Sequence, residues 1–191
     1  MEREKYSIVF QPSNDLILFV AEMKNKLRDK IQWYQSVNSK AHITICEFLA
    51  DENELVLAKF YIFKFCKGTR KSVVAFTHLD HFPHTLYIAP DKNASQFMKS
   101  TMRRFNKSFP IPKDKVSDNP HLTIGRGLSE SKIEAAYGLF GNDAVGFNFN
   151  CSGIFLRKFN AEIKQFDIID YFEFGNPDNE LPESDQLSLF E

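Results

Sequence analysis

The chain has 191 residues, of which 43% are hydrophobic, and a formal net charge of −1 at pH 7. This length is enough for the core of one ordinary domain or two small lobes, and the charge is too weak to indicate bulk nucleic-acid binding on its own. We find no membrane-spanning run, no signal-peptide pattern and no metal-type spacing of the three cysteines, so we expect a cytoplasmic protein of a reducing compartment.

The first half of the chain predicts two strand–helix units followed by a hairpin. The apolar residues of the first helix recur at steps of three and four from Leu16 to Ile31. Asp51 and Glu54 have the spacing of a capping box, and Gly68 can end the helix that follows them. The predicted strands of this half are Tyr6–Phe10, His42–Phe48, Ser72–Leu79 and Thr85–Ala89.

The second half repeats this plan. Asn93 with Gln96, and Ser131 with Glu134, predict the starts of two further helices, of which the second ends at Gly141. A strictly alternating segment then indicates a half-buried strand. The predicted strands are the segment that bears His121, Val145–Cys151, Ile154–Leu156 and Phe166–Phe174.

The predicted order is β-α-β-α-β-β and then α-β-α-β-β-β, which is typical of an α+β fold with helices outside antiparallel sheets. We expect residues 1–175 to form this domain and residues 176–191 to be a flexible, acidic tail. The tail contains five acids and no base, which leaves the domain with a net charge of about +4. That excess is compatible with a ligand that carries phosphate.

Two short motifs of one kind stand out, His42-Ile43-Thr44 and His121-Leu122-Thr123, and 79 residues separate them. Residues i and i+2 of a strand share a face, so each motif presents an imidazole and a hydroxyl together. A single such motif is usually a hydrogen-bonded histidine of the core. The matched pair instead favours one cleft with two imidazoles, the minimum for a general acid and a general base.

The paired motif resembles that of the 2H phosphoesterase superfamily, in particular its 2′-5′ RNA ligase-like branch, over roughly residues 4–174. The resemblance implies a bilobal duplicated fold with pseudo-twofold symmetry, in which two antiparallel sheets with outer helices surround a central cleft. His42 and His121 would then lie on facing strands. The chain departs from the family where the first motif often continues into Phe-Leu-Gly, because it has Phe48-Leu49-Ala50 there.

The resemblance also implies a function. It indicates a metal-independent phosphoesterase, without a cofactor, acting on 2′,3′-cyclic phosphate or 2′-5′ phosphodiester ends of RNA or nucleotides, or joining 2′-5′ ends as an RNA ligase. His42 and His121 would exchange protons, in an order the sequence leaves open, and Thr44 and Thr123 would stabilise phosphate oxygens. The alternative is a catalytically idle RNA-end or nucleotide binder, which the two intact motifs disfavour. We expect a monomer with no membrane partner.

Arg126 has two interpretations. Family members commonly carry an arginine shortly after the second motif, where it can hold a phosphate oxygen. Simple alternation places Arg126 opposite His121 and Thr123, so this role requires the strand to bend at Gly125, as strands often do at glycine. Without such a bend, Arg126 is an exposed or structural arginine.

Other histidines and aromatic residues are weaker candidates. His78, His81 and His84 are spaced by three, but a predicted turn separates them, so we expect a solvated loop and no metal site. Several residues are either core or a stacking surface for a base; they are Tyr6, Phe10, Phe82, His84, Tyr87 and Phe155.

The end of the tail, Gln186-Leu187-Ser188-Leu189-Phe190, resembles the signal by which bacterial polymerases and repair proteins dock on the β sliding clamp. Under this hypothesis Gln186, Leu187, Leu189 and Phe190 bind the partner, with the apolar side chains as anchors. The alternative is that this segment folds back on the domain or simply closes the chain. A match of five residues leaves both interpretations open.

Overall fold

The computed structural model describes residues 2–141 and 145–175, and these residues contain nine strands and four helices. The predicted α+β fold is confirmed, since helices alternate with strands that pair antiparallel. The elements in chain order are β1 (Glu4–Phe10), α1 (Asn14–Ile31), β2 (Ile43–Ala50), α2 (Glu52–Lys67), β3 (Ser72–Phe82), β4 (Thr85–Pro90), α3 (Lys92–Ser108), β5 (Lys113–Val116), β6 (Leu122–Arg126), α4 (Glu130–Phe140), β7 (Phe147–Cys151), β8 (Gly153–Asn160) and β9 (Gln165–Glu173).

The strands form two sheets, and each sheet contains strands from both halves of the chain. The first sheet has the order β5-β2-β1-β8-β9 and the second has the order β6-β4-β3-β7. Strands β2-β1-β8 of the first sheet correspond to β6-β4-β3 of the second when β4 opens the second half of the chain, and not when it closes the first half as predicted. In each trio the first two strands come from one half of the chain and the third comes from the other half. This exchange is the predicted pseudo-twofold arrangement, and it places one His-x-Thr motif in each sheet.

The core lies on the faces of the sheets that the helices cover. Helix α2 packs against β2, β8 and β9, and α3 packs against β2, β3 and β4. Rings of the two helices meet edge to face between them, with Tyr61 of α2 at 5.4 Å from Phe105 of α3. Fully buried strand residues complete this core; they include Ile8, Phe10, Ile43, Phe48 and Leu156. Burial of these side chains fixes which face of each strand remains for chemistry.

The capping residues agree with the sequence in one helix and differ in two. Asp51 and Glu54 form the predicted capping box at the start of α2. The N-cap of α3 is Asp91 and not Asn93, because the Asp91 carboxylate accepts a hydrogen bond of 2.7 Å from the Ala94 amide. The N-cap of α4 is likewise Ser129 and not Ser131. Each of these two helices has two polar residues that could serve as its N-cap. The earlier residue does so, because its side chain accepts the backbone hydrogen bond at the helix start.

Strand β5 was missed by the sequence analysis. Its sequence, Lys-Asp-Lys-Val, has no apolar alternation, because it is an edge strand that pairs only with β2. Strand β3 is also longer than predicted and runs to Phe82. The predicted tail, residues 176–191, lies outside the described residues. None of the helices in the described part of the chain has the length and apolar content that crossing a membrane requires.

We expect Gly153→Ala to lower the free energy of unfolding by about 1–3 kcal/mol, the usual cost of overpacking. A Cβ atom at this position would collide with the Phe172 carbonyl oxygen and with the ring of Tyr171. Gly138→Ala is the matched control, since it lies exposed in α4 with open space around it, and should raise stability by up to about 1 kcal/mol. Urea unfolding of both variants measures the difference, and equal stabilities would contradict this packing.

Candidate active site

Each His-x-Thr motif lies at the start of its strand. His42 immediately precedes β2 and His121 immediately precedes β6, while the two threonines are the second residues of these strands. The central residues of the motifs, Ile43 and Leu122, are fully buried. The histidines and Thr44 keep partial exposure, and Thr123 is 8% exposed. The alternation predicted for the motifs is therefore present in both halves of the fold.

A β-bulge follows each threonine at the same position. Ile45 is the extra residue of β2 against β1, and Ile124 is the extra residue of β6 against β4. The added residue shifts the alternation, so that the fifth residue after each histidine returns to the face of its motif. These residues are Glu47 and Arg126. Arg126 therefore shares a face with His121 because of a bulge at Ile124, and not because of the predicted bend at Gly125, which pairs with Leu86.

The two imidazoles make the same backbone contact. Nδ1 of His42 lies 2.7 Å from the carbonyl oxygen of Lys40, and Nδ1 of His121 lies 2.8 Å from that of Asn119. A carbonyl oxygen only accepts, so in each neutral ring Nδ1 carries the proton and donates it. This leaves Nε2 of both rings as the nitrogen that can take a proton from a bound group, or return one to it.

Burial and nearby cations favour the neutral imidazole at the first motif. Burial is the largest of the effects that lower the pKa of His42 to about 3, and the guanidinium groups of Arg157 and Arg126 and the Lys24 ammonium contribute in the same direction. The hydrogen bond to the Lys40 carbonyl acts in the opposite direction. The surroundings of His42 are therefore strongly positive, which suits an anionic ligand.

Arg126 connects the two motifs electrostatically. Burial lowers the pKa of His121, and the charges of Arg126 and Lys115 contribute in the same direction. Arg126 therefore acts on the imidazoles of both motifs, although they belong to different sheets.

A buried lysine fixes the loop that leads to the first motif. Lys24 of α1 is 2% exposed, and its Nζ donates to the carbonyl oxygens of Ser36 and Ser39, at 3.0 and 2.6 Å, and to Ser39 Oγ at 2.9 Å. In the same loop, the Gln35 carbonyl accepts a hydrogen bond of 3.1 Å from the Arg126 amide. The loop before the first motif is thus joined to the strand of the second.

Sequence analysis missed two charged residues of this region, Arg157 and Lys24. Arg157 is 7% exposed and donates from Nη2 to Ser7 Oγ at 3.0 Å, while its buried Nε has no hydrogen-bond partner among the described residues. Each had a signal in the sequence. Arg157 alternates with Phe155 and Phe159 along one strand face, and Lys24 falls within the apolar stripe of the first helix.

Aromatic rings surround His121. Phe82 meets the imidazole edge to face at 5.4 Å, and Tyr87 is tilted against it at 5.2 Å. The Tyr87 hydroxyl donates to the Asp80 carboxylate at 2.9 Å, which holds this ring in place. The candidate stacking residues Tyr6 and Phe10 belong instead to the core.

His78, His81 and His84, the three histidines spaced by three, do not come together, which agrees with the turn predicted between them. Their Nδ1 atoms contact Thr77 Oγ1, Tyr137 Oη and the Leu128 carbonyl oxygen, respectively, for His78, His81 and His84. His78 and His81 lie on β3 and not in the predicted loop. Within residues 2–141 and 145–175, no three His, Cys, Asp or Glu side chains come together in a group that could hold a metal ion.

A cavity of about 720 Å³ lies elsewhere, beside the turn between α2 and β3 and the exposed face of α3. Its lining includes Arg70, Lys71 and Arg104 and shares no residue with the two motifs. The lining of this cavity contains no imidazole that could exchange a proton.

One family model matches most of the chain. The sequence model of the 2′-5′ RNA ligase superfamily matches residues 12–162. This range includes both His-x-Thr motifs and Arg157. Comparison with curated proteins gives no match.

Solved structures share the fold at low identity. LigT of E. coli in its apo form is 11% identical with a TM-score of 0.60, and LigT complexed with 3′-AMP is 10% identical with a TM-score of 0.61. The protein TT0787 of Thermus thermophilus is 15% identical with a TM-score of 0.55. Each alignment covers 92% of this chain and 100% of the other. At these identities the likeness concerns the fold alone.

We expect His42 to be neutral in the free protein at pH 6, because its pKa lies near 3, and to carry its proton on Nδ1. Inorganic phosphate should raise the pKa of His42, since a bound anion favours the imidazolium form. Arg157→Met should also raise it by removing a cation. Long-range ¹H–¹⁵N spectra over a pH titration measure both effects, and a His42 that is protonated at pH 6 without phosphate would contradict this environment.

Proposed function

The chain belongs to the 2′-5′ RNA ligase superfamily, and we propose that it is a phosphoesterase that acts on 2′,3′-cyclic phosphate or 2′-5′ phosphodiester ends of RNA or nucleotides. In this proposal residues 1–175 form the catalytic domain, and His42 and His121 are its general acid and base. The same groups would serve 2′-5′ ligation in the reverse direction.

The observation that carries the proposal is the equivalence of the two half-sites. Both imidazoles donate from Nδ1 to the carbonyl two residues earlier, and both strands bulge after the threonine. Arg126 acts on both rings. Two equivalent histidines around one cation match a reaction that moves one proton on each side of a phosphorus atom.

Hydrolysis of a cyclic phosphodiester would proceed in one displacement. The neutral imidazole accepts a proton from a water molecule through Nε2 while the water oxygen bonds to phosphorus. The bond from phosphorus to one ribose oxygen breaks, and the cationic imidazole donates its Nε2 proton to that oxygen. Negative charge on the remaining phosphate oxygens is stabilised by the hydroxyls of Thr44 and Thr123 and by the guanidinium of Arg126. Protons and charge balance without a metal ion.

Binding of the anionic substrate would itself favour protonation of the histidine that acts as the general acid. In the free protein, burial lowers the pKa of both His42 and His121, so both imidazoles favour the neutral form at neutral pH. A bound phosphodiester offsets the positive field of Arg126 and Arg157 and so favours one imidazolium. The general acid would therefore be charged mainly in the complex.

A family relative supplies further support. LigT of E. coli has been crystallised with 3′-AMP and with phosphate. A nucleoside monophosphate carries the ribose and phosphate groups that a cyclic phosphodiester carries. We propose that this chain also receives a nucleotide phosphate between its two motifs, beside the ring of Phe82.

We expect His42→Ala and His121→Ala each to lower turnover of 2′,3′-cyclic nucleotides by ~10²–10⁴-fold, the usual contribution of a positioned acid or base. The assay uses 2′,3′-cyclic, 3′,5′-cyclic and 2′-5′-linked substrates with EDTA present. His78→Ala is the control, since His78 lies on β3 and contacts Thr77.

Near-normal turnover in both single variants would refute the assignment. Tight binding of these nucleotides by the wild-type chain without any turnover would favour the idle binder. Turnover that occurs in a parallel assay without EDTA but is absent with EDTA would refute the metal-independent reaction.

The clamp-docking hypothesis stays a prediction, because residues 186–190 lie outside the described residues. We propose that Gln186, Leu187, Leu189 and Phe190 bind a bacterial β sliding clamp, with the two leucines and the phenylalanine as apolar anchors. Deletion of residues 186–191 should then abolish binding in a titration with purified clamp. Binding that survives the deletion, or no binding of the full chain at tens of micromolar, would contradict it.

A further inference from the structure

The side of the first sheet that bears the first motif also carries a row of aromatic side chains beyond His42. Phe155 of β8 pairs with Tyr171 of β9, with ring centroids 4.6 Å apart, and Phe159 pairs with Phe166 at 5.2 Å. Arg157 lies between the two pairs along β8. We call these five residues the stacking face.

The stacking face lies on the same side of the sheet as the first motif. Val9 of β1 pairs with both Thr44 and Phe155, so one cross-strand row runs from the first motif to Phe155 and Tyr171. Helix α2 packs on the opposite side, where Lys59 forms an ion pair of 2.6 Å with Asp170. Val9 is fully buried and Tyr171 is 44% exposed, so the row reaches solvent at β9.

Arg157 gives the stacking face an unused donor. Its side chain is almost fully buried, its guanidinium lies 5.1 Å from the Phe166 ring centroid, and its Nε lacks a partner among the described residues. Buried guanidinium N–H groups are nearly always hydrogen-bonded. Arg157 donates to Ser7, which lies two residues before Val9, the partner of Thr44, so an acceptor that satisfies Arg157 would lie on the same side of the sheet as the first motif.

The remaining charges of the face are also mainly positive. Lys5 lies 5.9 Å above the Phe166 ring, and Lys5 and Lys115 both pair with Glu47, at 2.8 and 3.4 Å. With Arg157, three cations thus surround one carboxylate. Aromatic pairs on a sheet can serve stability alone. Three half-buried rings and the exposed ring of Tyr171, beside a buried and unsatisfied arginine, have the composition of a surface that binds single-stranded nucleic acid, where bases stack and cations hold phosphates.

We propose that the stacking face binds the nucleotides that adjoin the reacting phosphate, so that the preferred substrate is a single-stranded RNA and not a mononucleotide. This inference rests on the proposed function for the position of the reacting end. The distance from β2 to β9 spans three strand spacings, about 14 Å, which accommodates several stacked nucleotides at about 3.4 Å each. Arg157 would hold the phosphate next to the reacting one.

Binding of a labelled pentaribonucleotide with a 2′,3′-cyclic phosphate end to the full chain tests the proposal. We expect it to bind more tightly than adenosine 2′,3′-cyclic phosphate, and its affinity should fall as salt rises. Phe166→Leu and Tyr171→Leu keep apolar bulk but remove the ring, and each should weaken binding of the RNA about tenfold more than binding of the mononucleotide. Phe60→Leu is the matched control, because Phe60 is 55% exposed on α2 with Lys64 over its ring at 4.6 Å.

Equal affinities for the RNA and the mononucleotide would overturn the proposal, as would Leu variants that behave like Phe60→Leu. The assay measures binding and is independent of turnover. Repeating it with the His42→Ala/His121→Ala double variant separates the two hypotheses. RNA binding that persists there and still depends on Phe166 supports the stacking face even if the chain proves inactive.

Discussion

The extra residue after each threonine determines what the two half-sites can do. Without Ile45 and Ile124, regular alternation would turn the fifth residue after each histidine into the core. With them, β2 presents Glu47 and β6 presents Arg126 on the face of its motif. The bulge thus adds a charged group to a histidine and a threonine, while Ile45 and Ile124 themselves stay fully buried. Two bulges in matching places are also the most local sign that the halves of the fold are equivalent.

The buried cations around the first motif destabilise the protein when no ligand is bound, and a bound anion would reduce this cost. Lys24 is surrounded by neutral acceptors, and burial followed by the charge of Arg126 lowers its pKa to about 8. Burial also lowers the pKa of Arg157 to about 10. The charge of Glu47 opposes this effect of burial on Arg157, whereas the hydrogen-bond partners of Lys24 include no carboxylate, and burying such a cation destabilises the free protein. An anionic phosphodiester would relieve this cost, so the same cations that lower the pKa of His42 would also help to hold its substrate.

Local patterns predicted most strands and helices, and the resemblance implied the bilobal arrangement, whereas the charged surroundings of the motifs depend on pairing between distant strands. The capping box at Asp51 is a short-range signal that the structure confirms, and both His-x-Thr motifs lie at the start of a strand. The orientation of Arg126 depends on the register of β6 against β4, which alternation within one strand does not contain. Arg157 contacts Ser7, 150 residues earlier in the chain, and so no local pattern could assign it to the first motif.

The duplicated halves have diverged where the charges stand, which assigns them different tasks. Glu47 and Arg126 occupy equivalent positions, yet the first is neutralised by Lys5 and Lys115 and the second acts on both imidazoles. The first half-site therefore takes its cation from elsewhere, namely Arg157 on the neighbouring β8. The imidazole of the second half-site packs against the rings of Phe82 and Tyr87, while the row that begins at the first motif reaches solvent at Tyr171. A symmetric substrate would not require two different half-sites. An RNA end is asymmetric, because its terminal nucleotide would lie at one half-site and the rest of the RNA strand would extend past the other.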